Sequence, residues 1–141
     1  MRLDIDGLGV QTHLTILQSI IGRLSTLGGG IKMLAATVVG IVAVLGDRDL
    51  RSASALGGFV LVLWGLDGYY LAKERWFRRV YSRFVNDLQS NKVLAQDLFT
   101  VEKPALKSAE LVKAAFSPSI WVFYVAIFIL SFVTVVTRDC Q

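Results

Sequence analysis

The chain has 141 residues, 54% of them hydrophobic and 18% charged, with a mean hydropathy of +0.56. Soluble domains are usually about 45–50% apolar and about 25% charged, so a blocky apolar excess points to one membrane domain and away from an ordinary soluble fold. The net charge of +4 favours anionic partners such as lipid head groups, nucleotides or nucleic acid.

The N-terminal stretch carries Val10, Leu14, Leu17, Ile21 and Leu24 at alternating steps of four and three. That spacing predicts an amphipathic helix over residues 1–30 with a near-heptad seam. Thr12, Thr15, Gln18, Ser19 and Thr26 give it a polar but uncharged face. Two readings stay open, an oligomer seam and a helix lying at the membrane surface. Gly28, Gly29 and Gly30 predict a hinge or cap after it. His13, the only histidine, reads as an ordinary helix residue more readily than as a pH switch. The first 30 residues lack the charged-then-apolar layout of a signal peptide.

Three apolar runs follow: IKMLAATVVGIVAVLG (31–46), ALGGFVLVLWGLDGYYLA (55–72) and SIWVFYVAIFILSFVTVV (119–136). A bilayer needs about 20 residues per helix, so the first run is short and borrows length from the preceding glycines. Lys32 is read there as a side chain snorkelling to the interface. The prediction is an all-α protein: transmembrane helices 1 and 2 within 31–72, and a third span with a short tail over 118–141. The second run contains Asp67, which costs about 2.5–3.5 kcal/mol at a helix centre in lipid. It reads either as a carboxylate near the head groups, bonded to a tyrosine or to Arg78, or as a pore-lining or gating charge with Tyr70 and Glu74. Ala36 with Gly40, and Gly58, Gly65 and Gly68, are candidate helix-packing positions. In the third run Tyr124, Ser131, Thr134 and Arg138 make a sparse polar stripe that lines water or bonds neighbouring helices.

Between the second and third runs, residues 73–117 carry Lys73, Arg75, Arg78, Arg79, Arg83, Lys92, Lys103, Lys107 and Lys113. The positive-inside rule puts this segment and the N-terminus on the cytoplasmic side of the membrane. Cys140 then faces outside. Trp76, Phe77, Val80, Tyr81, Phe84 and Leu88 are too many apolar residues for a disordered segment, so a small cytoplasmic helical layer is expected. One further helix is expected near Val93, Leu94 and Leu98, and another from Pro104. Pro118 suits the start of the last span.

The transition LWGLDGYYLAKERWFRRVY (63–81) is predicted to be one unbroken helix. Arg75, Arg79 and Arg83 fall in a row, one guanidinium per turn over about 12 Å. Glu74 is placed to pair with Arg78 at i, i+4. Such a row suits a chain of phosphates, because arginine grips each bidentately. It equally suits anionic lipid beneath a span. Lys92, Lys103 and Lys107 extend the charge beyond the juxtamembrane turn.

No Walker loop, GxGxxG motif or Ser/His/Asp set is present, and the lone cysteine and histidine provide no metal cluster. No catalytic residue, metal or cofactor is therefore expected. LDGYYLAKERWFRRVY (66–81) resembles a motif of small bacterial membrane proteins in which a span ends in an LDxYYL-like stretch followed by ER-x-FR-x-x-Y. These proteins are transmembrane effectors encoded beside nucleotidyltransferases in anti-phage defence. The layout is similar to SLATT-type pore formers and to the effector family of the Hailong system. The resemblance implies a homotetrameric ion channel held shut by single-stranded DNA oligomers from the neighbouring nucleotidyltransferase. The alternatives are a holin-like pore former and a non-conducting membrane adaptor.

Overall fold

A computed structural model describes residues 7–45, 50–90, 104 and 106–139 of the chain. The described residues are all-helical: α1 (Leu8–Leu45), α2 (Leu50–Gln89), α3 (Ser108–Ala115) and α4 (Pro118–Asp139).

α1 runs straight through Gly28, Gly29 and Gly30. The expected hinge is absent, and the amphipathic N-terminal segment and the first apolar run are one helix. Three interior glycines cost about 3 kcal/mol of helix propensity relative to alanine. Tertiary packing overrides such a penalty, because most helical stability in proteins comes from a packed face. Here the face is a heptad seam that continues from Val10 through Leu17, Leu24, Ile31 and Ala35 to Val42, every position buried or half-buried.

α2 supplies the matching seam: Leu56, Val60, Leu63, Asp67, Tyr70, Glu74, Phe77, Tyr81, Phe84 and Leu88, again all buried or half-buried. The two helices pair antiparallel. His13 stacks on Phe84 with ring centroids 4.5 Å apart, the Gln18 amide donates to the Tyr81 hydroxyl at 3.2 Å, and Lys32 meets Asp67. The N-terminal seam is thus covered within the chain by α2. Neither an oligomer seam nor a surface helix is needed to explain it.

At about 1.5 Å per residue, α1 and α2 are about 57 and 60 Å long, twice a hydrocarbon core of about 30 Å. The hairpin therefore has an apolar half and a half that extends beyond it. In the apolar half α4 joins to make a three-helix bundle, its core built from Ala35, Val39, Val60, Leu63, Ile120, Tyr124 and Ile127. The outside of this half is also apolar, with Met33, Ile41, Leu61, Val62, Val122 and Ile129 all exposed. An apolar exterior on all three helices suits lipid rather than water. α1 and α2 are each long and apolar enough to cross a membrane. The pair α3 and α4, bent by 52° at its break, makes up to a third crossing by length and composition.

The expected unbroken helix over residues 63–81 lies within α2. Pro118 opens α4 as expected, but α3 starts at Ser108 and Pro104 is not helical. Residues 91–103, including the helix expected near Val93, lie outside the described residues. So do Cys140 and the side chains of Ser131, Thr134 and Arg138.

Candidate functional site

Two groups of polar side chains stand out. The first is at the middle of the α1–α2 hairpin. Asp67 occupies a seam position and is 2% exposed. Its partner is Lys32, whose Nζ lies 2.9 Å from Oδ1 and 2.7 Å from Oδ2. The expected bond to a tyrosine or to Arg78 is not formed, because Arg78 points elsewhere and Lys32 comes from the facing helix. Lys32 does not snorkel freely: its side chain is 25% exposed and bridges the two helices. Gly28 faces the same carboxylate, and a Cβ there would lie 3.4 Å from Oδ1. Lys32 is the lone charge of the first apolar run and Asp67 that of the second. That complementarity was the signal available in the sequence, since each lone charge in a bundle interior needs an opposite one.

Tyr124 of α4 is 4% exposed and sits in the core of the three-helix bundle. Its hydroxyl has no hydrogen-bond partner among the described residues. Tyr70 is half-buried in the α2 seam, with its ring edge-on to Tyr69 at 5.8 Å.

The second group is on the polar half of α2 where α3 packs. Gly68 is buried against Ala115, and a Cβ at Gly68 would come within 2.9 Å of the Ala115 Cβ. Only glycine permits this approach. One turn earlier Trp64 donates its indole N–H to the Ala115 carbonyl at 3.0 Å and sets its ring edge-on to Phe116. Arg75 reaches the joint between α3 and α4, where its Nη2 donates to the Ser117 hydroxyl at 2.7 Å. Arg79 pairs with Glu110 of α3, Nη1 to Oε1, at 2.8 Å. The hydrogen bond from Arg79 holds the Glu110 carboxyl below the usual carboxylate range, with Lys107 adding to the positive field.

The expected Glu74–Arg78 pair forms at 2.7 Å. Lys73 sits over the Tyr69 ring, 4.7 Å from its centroid. Arg83 and Lys107 are exposed, whereas Lys92 and Lys103 lie outside the described residues. The arginine row is thus divided in its work: Arg75 bridges to the α3–α4 joint, Arg79 bridges to α3, and Arg83 is exposed. Glu110 and Ser117 were not singled out from the sequence. Their pairing depends on α3 folding back along α2, which no local pattern encodes. No group of three or more His, Cys, Asp or Glu that could hold a metal exists among the described residues.

Comparison of the chain with protein-family models, curated proteins and solved structures finds no match.

Proposed function

We propose that the chain is one subunit of a homo-oligomeric ion channel in a bacterial inner membrane, gated by a phosphate-bearing ligand on its basic side. The ligand is a nucleotide or a single-stranded DNA oligomer supplied by a neighbouring nucleotidyltransferase, and the channel serves as an effector of anti-phage defence. The motif over residues 66–81 suggests the defence role and the ligand class. In this reading the N-terminus and the basic half of the hairpin are cytoplasmic, α4 is the third span, and anions are the conducted species.

The observation that carries the gating half is mechanical. α2 is one uninterrupted helix from its lipid-suited half to its arginine-bearing half. Arg79 ties that helix to α3 and Arg75 ties it to the joint at Ser117, from which Pro118 opens α4. A ligand held by Arg78, Arg79 and Arg83 therefore engages, at Arg79, a group that also holds α3 against α2. Support for self-association comes from α1. Its exposed side carries Gly22, Thr26, Gly29, Ala36 and Gly40, and a Cβ at any of these glycines would meet nothing within 4 Å. Small residues on a membrane helix allow another backbone to approach closely. A tetramer is the assembly proposed.

The test is conductance of the purified chain in planar bilayers, with and without short single-stranded oligonucleotides. Ligand-sensitive single-channel steps are expected, with the ligand effect fading steeply as salt rises. Conductance indifferent to the oligonucleotide would leave a holin-like pore, and a silent bilayer would leave an adaptor. Either result overturns the proposal.

A further inference from the structure

Among the cations of the basic half, Arg79 differs in one respect: a carboxylate from another helix already occupies it. Its guanidinium meets Glu110 through a single 2.8 Å contact, in a pair whose side chains are 58% and 33% exposed. A carboxylate oxygen and a phosphate oxygen are interchangeable acceptors for such a guanidinium. Lys107 is exposed at the start of α3, on the same element as Glu110. An exposed ion pair contributes little net stability, so it yields readily to a competing phosphate.

We infer that Glu110 is a built-in competitor that occupies the phosphate position on Arg79, and that a phosphate-bearing ligand binds by displacing it. This rests on the reading of the basic half as a ligand site, and it names the residue that regulates that site. Displacement frees only one end of α3. The other end stays fixed by Ala115 packed on Gly68, by the Trp64 bond to the Ala115 carbonyl, and by Arg75 on Ser117. The freed end therefore swings about the joint that leads into α4. Ligand binding is converted into a change of angle at Ser117–Pro118 without unfolding the layer.

The competition has a measurable signature. Removing the competitor should tighten binding, whereas removing an ordinary structural contact should leave binding unchanged or weaken it. The experiment uses the full chain in nanodiscs of neutral lipid. A fluorescently labelled oligothymidylate and unlabelled inorganic tripolyphosphate are the probes, read by anisotropy at fixed salt. Glu110→Gln is expected to bind about two- to fivefold more tightly than the native chain, the range an exposed ion pair is worth. Asp87→Asn changes the net charge by the same unit elsewhere on α2 and should leave affinity nearly unchanged. Arg79→Gln should weaken binding, and Glu110→Gln should have no effect in that background. Equal tightening by Asp87→Asn would reduce the effect to long-range charge and overturn the inference. So would native affinity in Glu110→Gln, and both results would leave the ligand site itself intact. No binding of either probe by any variant would overturn the site along with its competitor. Repeating the titration in phosphatidylglycerol nanodiscs identifies the phosphate source. Persistence of the Glu110→Gln effect supports a soluble ligand, and its disappearance there assigns Arg79 to lipid head groups instead.

Discussion

Removing Lys32 should destabilise the hairpin more than removing Asp67, although the two form one ion pair. At 2.7 Å the gross attraction is about 6 kcal/mol for an effective dielectric of about 20. Desolvation consumes several kcal/mol for each ion taken out of water, so the net value of the pair is small. The cost of breaking it is not small, because one charge is left behind. With Lys32→Met the remaining charge is Asp67, 2% exposed and fixed in the α1–α2 seam, and about 3–5 kcal/mol should be lost. With Asp67→Asn the remaining charge is Lys32, 25% exposed on a flexible stem, which can turn toward the interface. That loss should fall below the 3–5 kcal/mol range. The double variant Lys32→Met with Asp67→Asn should cost less than the sum of the two single losses, because neither charge is left behind. SDS-induced unfolding of the purified chain, followed by circular dichroism, measures all three. If the single effects sum to the double effect within about 0.5 kcal/mol, the two side chains are not coupled and the reasoning fails.

Further expectations concern glycine and the α2–α3 bridge. Gly68→Ala should cost about 1–3 kcal/mol through the clash with Ala115, whereas Gly65→Ala, whose Cβ meets nothing within 4 Å, should be neutral or stabilising in the same unfolding assay. Gly29→Ala with Gly30→Ala should stabilise the isolated subunit by about 1 kcal/mol per site while lowering the oligomer fraction in light scattering. An unchanged oligomer would remove α1 from the proposed subunit contact. Because the Glu110 carboxyl is held low in the folded chain, its contribution is present above the ordinary value near 4.5 and is lost as pH falls through the lowered one. Trp64 emission, measured with Trp76 and Trp121 replaced by phenylalanine, should report α3 loosening in that acidic window. Arg79→Gln should abolish the acid step.

Periodicity carried much of the fold. The seam at Val10, Leu14, Leu17, Ile21 and Leu24 was legible because steps of four and three have no other simple cause. The seam's partner was not legible, because a heptad stripe says that something covers it and is silent on whether another copy or the next helix does so. Glycine misled for a related reason. Three in a row reads as a hinge under local propensity, and the α1–α2 packing that overrides it is a property of two helices. The Glu74–Arg78 pair could be read because both residues share one helix. Arg79–Glu110 was hidden because its members are 31 residues apart, and Lys32–Asp67, 35 residues apart, was signalled only by two lone charges of opposite sign. Only the fold-back of α1 and α3 onto α2 brings them together.

The two long-range pairs sit on different sides of α2 and differ in a way that separates their work. Lys32–Asp67 is largely enclosed, joins α2 to α1, and is costly to break, most of all by removing Lys32. Arg79–Glu110 is exposed, joins α2 to α3, and contributes little as a surface pair. A helix with a firm contact on one side and a weak one on the other moves, when it moves, relative to the weak one. α3 is accordingly the element that yields first, and its route into the apolar half is the short joint at Phe116, Ser117 and Pro118. Strengthening the weak pair should therefore lock the layer without touching the seam. Stapling α3 to α2 by a reducible bis-maleimide linker between cysteines at positions 79 and 110, in a Cys140→Ser background, is expected to hold bilayer conductance at its resting level whatever ligand is added. A linker is required because the native side chains meet at their tips, beyond the reach of a direct disulfide. Reduction of the linker should not restore the arginine-dependent response, since Arg79 is gone. It should, however, free α3 and raise the ligand-independent conductance. If the cross-linked variant conducts and responds like the native chain, α3 is not the moving part, and coupling from the basic half must pass through the α1–α2 seam.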